Sequence, residues 1–381
     1  MELKLIQPDF DSPLTDLIID LDHLRRKELS GTTPPKIFFQ LKRIFHTLES
    51  IGSARIEGNN TTVAAFIETK IEDRPYINED IQEIRNIEEA MEFIDESAVD
   101  RGLSKSFIKE LHSFIVRDLT PPPSGEGDQT PGMFRNHAVE ISDTSHVPPI
   151  TGHEVEALME ELVEFISHEH PSKYDLLKVA LAHHRFMWIH PFGNGNGRTG
   201  RLLTYAMLVH QGFRVDQGRI LNPTAVFCID RDMYNSFLSQ ADTGSQEGLD
   251  AWCQYVLRGL KEEIDKIDRL INYEYLTRQI LKPAVDYALT MKYISDKEYK
   301  VLRLSVEKRV IQNSDLQPLF PGMKSQAISR IIRELKVKKM LEAEEGNSRS
   351  YHISFTNNFL IRGIIPQLAK EGFIPVRDED S

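Results

Sequence analysis

The sequence predicts a mainly helical protein with a short hairpin near its middle and a small separate domain of helices plus a hairpin at its C-terminal end. Apolar residues recur at helical spacing through most of the chain, as in Ile37, Leu41, Ile44 and Leu48, or Ile81, Ile84, Ile87, Met91 and Ile94. Alternation of the strand type is confined to two stretches, Gly132 to Pro149 and Leu341 to Ile353. A length of 381 residues exceeds one typical domain and allows a sizeable core.

Taken in order, residues 1 to 35 read as an irregular arm rich in Pro and Asp that ends at Pro34-Pro35. A helix is expected from Lys36 to a stop at Gly52. Ser53 and Glu57 follow, four apart and on one face if that stretch is helical, with Gly58 as a stop. By themselves they describe a capped, solvated helix end. Residues 61 to 118 are again helical in pattern, until Pro121-Pro122-Pro123-Ser124-Gly125-Glu126-Gly127 breaks it. The hairpin is expected over 132–149, then helices over 154–168 and 172–189. Leu249 to about Lys292 reads as one or two long helices with Trp252, Val256, Leu260 and Ile264 as a packing stripe. Helices opening at Ser295, Asn313 and Lys324 precede a hairpin around Glu345-Gly346-Asn347. The expected organisation is an N-terminal arm and helical region over 1–110, a core over 111–270, a helical linker over 271–292 and a C-terminal domain over 293–381.

Composition narrows the function classes. Lys and Arg total 46 against 58 Asp and Glu, a net charge of −12, so the chain as a whole is not a nucleic-acid coat. No run of about 18 apolar residues exists, and the opening MELKLIQPDF lacks a basic region followed by an apolar one, so neither a membrane span nor secretion is expected. Cys228 and Cys253 form no C-x-x-C pair, which excludes a disulfide framework or a cysteine zinc site and suits a reducing cytoplasm.

The chemistry concentrates at His190-Pro191-Phe192-Gly193-Asn194-Gly195-Asn196-Gly197-Arg198-Thr199-Gly200-Arg201. Glycines alternating with asparagines let the backbone reach positive φ and approach a ligand closely. The helix expected from Arg198 to His210 would point its free N–H groups back into the loop, which suits a phosphate. Arg198 and Arg201, three apart, share a helix face and can each bond a phosphate oxygen. The unperturbed pKa of a histidine such as His190 lies near neutrality, as a general base requires, and Asn194 offers a hard oxygen to Mg²⁺. Gly195-x-Gly197-x-x-Gly200 also fits a dinucleotide fingerprint, but that fingerprint follows a strand. Here Leu177, Ala180, Leu181, His184 and Trp188 recur at helical spacing, so the loop joins helix to helix and the fingerprint reading fails. His183 and His184 beside His190 point to different helix faces and read as packing or support, not as a metal cluster.

This stretch resembles the signature of the Fic domain, H-x-F-x-(D/E)-G-N-G-R-x-x-R, matched at His190, Phe192, Gly195, Asn196, Gly197, Arg198 and Arg201. It departs at Asn194, where the family usually has an acidic metal ligand. Residues 53–59 resemble the family's inhibitory motif, (S/T)-x-x-x-E-(G/N), which implies that Glu57 pairs with Arg201 and takes the space of the ATP γ-phosphate. The resemblance implies a mainly α Fic core whose flap is the hairpin at 132–149, with Asp143, Thr144, Ser145 and His146 bordering the nucleotide. Tyr234, Asn235 and Asp242 would lie near adenine and ribose, Asn235 replacing a second tyrosine, and Phe192 and Gly193 would line the phosphate loop.

The implied activity is protein adenylyltransfer with ATP as substrate and Mg²⁺ as cofactor, onto a Ser, Thr or Tyr hydroxyl of an unidentified target or of the chain itself. His190 would be the base, Asn196 with the N–H groups of Gly195 and Gly197 would stabilise the α-phosphate, and Arg198 with Mg²⁺ on Asn194 would neutralise pyrophosphate. Two other readings stay open: AMP removal or use of another nucleotide on the same loop, and a nucleotide-sensing DNA-binding regulator. The last arises because the C-terminal domain resembles a winged helix-turn-helix, with Lys324, Arg330, Arg333, Lys336, Lys338 and Lys339 against Glu334 alone over 324–340. A packing or dimerisation module is the alternative for that domain, and a homodimer is implied by the family.

Overall fold

The computed structural model describes residues 3–26, 31–72, 78–141, 146–213, 226–227, 230–356 and 358–374. Helix dominates, and the strands among the described residues form a small antiparallel sheet in the C-terminal part. The chain divides into two compact units, one of Met1–Glu28, His46–Thr61 and Ile77–Asp265, the other of Leu29–Phe45, Thr62–Tyr76 and Lys266–Ser381.

The first unit holds α1 (Pro13–Arg26), the C-terminal part of α2 (Pro35–Ile56), α4 (Glu79–Ser97), α5 (Lys105–Ile115), α6 (Gly152–Ser167), α7 (Asp175–Ile189), α8 (Asn196–His210), α9 (Arg231–Ala241) and most of α10 (Gln246–Asp268). Helix α8 is central: it packs on α4, α5 and α7, and it is buried from Asn196 to Val209. Helix α10 is anchored to α7 by fully buried Trp252, whose Nε1 donates to Ala180 O at 2.7 Å. A Thr151–Glu154 capping box starts α6, satisfying N–H groups that a helix start leaves unpaired.

Three expectations are corrected here. The N-terminal arm contains a helix, α1, because Leu14, Ile18 and Leu21 give it a buried stripe that outweighs its Pro and Asp content. Gly52 does not stop α2. One glycine in a helix costs only about 1 kcal/mol, and buried Ile51 and Ala54 hold the helix through it to Ile56, with the reversal at Gly58, φ 106°. The hairpin expected over 132–149 is not seen among the described residues, since 132–141 and 146–149 contain no strand and 142–145 lie outside the described residues. An isolated two-stranded ribbon is marginal in water, and Arg135 N instead donates to Pro191 O at 2.9 Å.

The second unit contains α3 (Val63–Ile71), α11 (Tyr273–Leu276), a π turn at Thr277–Leu281, α12 (Lys282–Thr290), α13 (Asp296–Lys308), β1 (Ile311–Gln312), α14 (Asn313–Leu316), α15 (Ser325–Val337), β2 (Leu341–Glu344), β3 (Asn347–Ile353) and α16 (Ile361–Lys370). The sheet order is β1-β3-β2, with Ile311 opposite Tyr351 and Leu341 opposite Ile353. Helix α15 turns Ile328, Ile331, Ile332 and Leu335 inward and leaves its other face to solvent. Among the described residues no helix is long and apolar enough to cross a membrane.

Candidate active site

The loop between α7 and α8 is shaped by two left-handed residues. His190 closes α7 at φ 52°, ψ 61°, a conformation rare for a residue with a Cβ, and Gly195 opens α8 at φ 72°. Arg135 holds the first of these bends: Nε donates to His190 O at 2.6 Å and Nη2 to Ile189 O at 3.1 Å, satisfying carbonyls that the end of α7 leaves unpaired. Between the bends, the Asn196 side chain accepts from Phe192 N and donates to Phe192 O, both at 2.9 Å. Asn196 therefore organises the loop with both ends of its amide. Asn196, expected at the α-phosphate, thus has its side-chain amide bonded to the Phe192 peptide. Phe192 is buried and stacks on His112 with ring centres 3.8 Å apart, while Gly193 is exposed beside Asp128.

His190 Nδ1 lies 3.4 Å from Met187 O. A carbonyl only accepts, so Nδ1 carries the proton and Nε2 is left as the basic nitrogen. Burial lowers the His190 pKa to about 4, helped by the Arg135 charge and opposed by Glu57, so the ring is neutral at pH 7.

Arg201 is almost fully buried and receives the end of α2: Nε donates to Ser53 Oγ at 2.9 Å, and Nη2 to Ser53 O at 3.0 Å and Glu57 Oε1 at 2.6 Å. The expected pairing of Glu57 with Arg201 is thus present in the geometry. Burial raises the Glu57 pKa, but the charges of Arg201 and Arg198 outweigh it and hold the carboxyl below its usual range. A Cβ at Gly197 would collide with Glu57 Oε1, so the carboxylate lies against the first turn of α8, where an anion is favoured.

Arg198 is fully buried. Its Nη1 donates to Glu83 Oε1 at 2.7 Å and its Nη2 to Glu126 O at 2.8 Å, while Nε has no partner. Asn194 Nδ2 donates to Gly127 O at 3.1 Å and to Glu126 Oε2 at 3.3 Å, which leaves its amide oxygen for a cation. Among the described residues no three His, Cys, Asp or Glu converge as a metal cage. The donors near Asn194 are hard oxygens, the Glu126 carboxylate included, and suit Mg²⁺ that takes its remaining ligands from phosphate and water.

Of the residues expected near adenine and ribose, Tyr234 and Asp242 are tied to α7. Buried Tyr234 bonds His183 Nε2 through its hydroxyl at 2.9 Å, and His183 Nδ1 meets Thr204 Oγ1 at 2.7 Å. Asp242 Oδ1 accepts from His184 Nε2 at 2.9 Å, and Asn235 is half-buried on α9. His146 Nε2 donates to Trp188 O at 2.8 Å, whereas Asp143, Thr144 and Ser145 lie outside the described residues. A separate cavity of about 570 Å³, lined in part by Asp230, Phe237, Asp250 and Tyr255, includes none of these site residues.

Several site residues carry no local signal in the sequence. Arg135, Glu83, Glu126 and Asp128 reach the loop over long separations, as does His112, which accepts from Gly132 N at Nδ1 and donates to Asn194 O from Nε2. Arg135 falls within the hairpin expected over 132–149 and Glu126 within the Pro121 to Gly127 break, but neither carries a mark of its role.

Residues 102–208 match the Fic/DOC family model. A protein adenylyltransferase Fic from Drosophila virilis is 31% identical over 204 residues, covering 52% of this chain and 38% of the relative. Its namesake from Nematostella vectensis is 27% identical over 264 residues, covering 66% of this chain and 55% of the relative. The chain thus spans between about a third and about a half of these curated relatives. The crystal structure of a Fic family protein from Desulfovibrio desulfuricans G20 shares the fold, with TM-score 0.53 at 17% identity over 92% of this chain and 98% of that one. Signature, loop geometry and family match agree: the chain carries a Fic domain of the Fic/DOC family, spanning residues 102–208 and enclosing the loop from His190 to Arg201.

Proposed function

We propose that this chain is a protein adenylyltransferase held off by Glu57. The observation that carries the reading is the Glu57–Arg201 pair, which puts a carboxylate on the first turn of α8, in the loop that ends at neutral His190. A carboxylate and a γ-phosphate compete for one guanidinium, so ATP binds productively only when Glu57 leaves. The relatives named protein adenylyltransferase Fic support AMP as the transferred group.

In the released state His190 Nε2 takes the proton of a Ser, Thr or Tyr hydroxyl as its oxygen attacks the α-phosphorus. A new oxygen–phosphorus bond forms, the α–β phosphoanhydride breaks, and pyrophosphate departs. The N–H groups of Gly195, Asn196 and Gly197 meet the charge on the α-phosphate. Arg201 holds the γ-phosphate, and Arg198 faces the leaving group. Asn194 would hold Mg²⁺, which would supply further neutralisation of the pyrophosphate charge. The test is self-labelling. Glu57→Gly incubated with α-labelled ATP should acquire more label than the wild type, and γ-labelled ATP should leave none on protein. No rise with the α-label removes Glu57 from the inhibitory role, and γ-label on protein replaces AMP transfer with phosphoryl transfer.

A second reading concerns the other unit. The exposed face of α15 carries Arg330, Arg333 and Lys336, with Lys324 just before it, followed by the β2–β3 ribbon. We propose that this face binds the phosphates of duplex DNA, as the third helix of a winged helix-turn-helix does. Retention on a duplex should fall linearly in log–log salt titration, with a shallower slope in Arg330→Ala and Arg333→Ala. An unchanged slope would leave this helix as a packing face.

A further inference from the structure

The turn after Glu57 and the arginine beside Arg201 share one buried carboxylate. Beyond Gly58 the chain tucks in Asn59, only 6% exposed, whose Oδ1 accepts from Thr61 N at 2.9 Å. Its Nδ2 donates to Asp80 O at 2.8 Å and to Glu83 Oε2 at 2.7 Å. Glu83, 2% exposed on α4, uses its other oxygen, Oε1, for Arg198 Nη1 at 2.7 Å. Burial raises the Glu83 pKa, Arg198 and Asn59 oppose it, and the repulsion of Glu126 and Glu57 adds to it. A carboxylate out of water must be paired, because an unpaired buried charge is costly, and here each of its oxygens has its own partner, Asn59 on one and Arg198 on the other.

We propose that Glu83 is a positioning residue that couples the inhibitory turn to the phosphate site: through Asn59 it holds Gly58–Asn59 where Glu57 reaches Arg201, and through its second oxygen it fixes the Arg198 guanidinium. Glu83 touches no substrate. The inference rests on the reading of Glu57 as the inhibitory residue, and deepens it by naming what keeps Glu57 in place. The amide of Asn59 is then the release point. Losing its bond to Glu83 frees the turn while Glu83 still holds Arg198.

The experiment is a binding cycle on the full chain, measured by calorimetry with Mg²⁺ and a non-hydrolysable ATP analogue. Glu57→Gly should bind more tightly than the wild type. Asn59→Ala should tighten binding about tenfold, the effect of one hydrogen bond to a charged group, and should add nothing in the Glu57→Gly background. Asn59→Asp keeps the side-chain size and sets a second carboxylate against Glu83, so it should act in the same direction even if Asn59→Ala folds poorly. Within the Glu57→Gly background, Glu83→Ala should lower kcat for self-labelling about tenfold or more, and Glu83→Gln, which can still accept from Arg198, should restore most of it. If Glu57→Gly binds tightly while both Asn59 variants bind like the wild type, the coupling is overturned and the inhibitory reading stands. If Glu57→Gly binds no more tightly than the wild type, the inhibitory reading falls and takes the coupling with it. Equal tightening by Asn59→Ala with and without Glu57 would also overturn the coupling, since the turn would then act on nucleotide without that side chain.

Discussion

Asn196 clasps the peptide of Phe192 from both sides, accepting from its N–H and donating to its C=O at 2.9 Å each. Asn196→Asp keeps the size but sets an oxygen against Phe192 O, and a buried carbonyl left unpaired costs about 1–3 kcal/mol. The variant should melt several degrees lower and lose self-labelling even when combined with Glu57→Gly. A combined variant that labels as strongly as Glu57→Gly alone would show that the clasp is dispensable.

His190→Ala separates chemistry from binding. A general base contributes about 10²–10⁴-fold in rate, and the His190 side chain donates to Met187 O in the last turn of α7. In the Glu57→Gly background, transfer should drop below detection while the affinity for a non-hydrolysable ATP analogue changes by less than about threefold. Persistent transfer would assign the proton to another group.

Asn194→Asp tests the position where the signature departs from its family. The new carboxylate should lower the Mg²⁺ concentration needed for half-maximal labelling in Glu57→Gly. It also loses the donor to Gly127 O and faces Glu126, so stability should fall by about 1–2 kcal/mol. An unchanged Mg²⁺ titration would place the metal away from this side chain.

Acid should destabilise the first unit through His183. Its ring is buried among Phe227, Trp252 and Tyr234, and burial lowers its pKa from 6.5 to about 3. The fold thus favours the neutral ring: that contribution is complete above the unfolded pKa and is lost as pH falls below it toward the folded value. At about pH 5 the loss amounts to about 2 kcal/mol. Melting temperature should drop between about pH 7.5 and about pH 5, and His183→Gln should drop less. Parallel curves for the two proteins would exclude His183 as the source.

Legibility in the sequence followed contact range. The helices were readable from apolar spacing, and the C-terminal capping box appears at Ser295 and Glu298, where the pattern placed a helix start. The Fic signature loop was readable because its residues are contiguous from His190 to Arg201. Glu57 was readable because Ser53, Glu57 and Gly58 form a local pattern, although Arg201 lies 144 positions away. Glu83 was not, since nothing in its neighbourhood marks a carboxylate that meets Arg198 across 115 positions. The flap misled because alternation within a segment does not say where its backbone bonds go, and here Arg135 N bonds Pro191.

Arg135 has one more consequence. By holding Ile189 O and His190 O it fixes the bend that aims the His190 ring, from a position 55 residues earlier. The signature therefore cannot be moved as a cassette: grafted onto another pair of helices, the twelve residues would keep their letters and lose their aim. Two chains with identical signatures can accordingly differ in competence, and the difference would be written at Arg135, outside the signature.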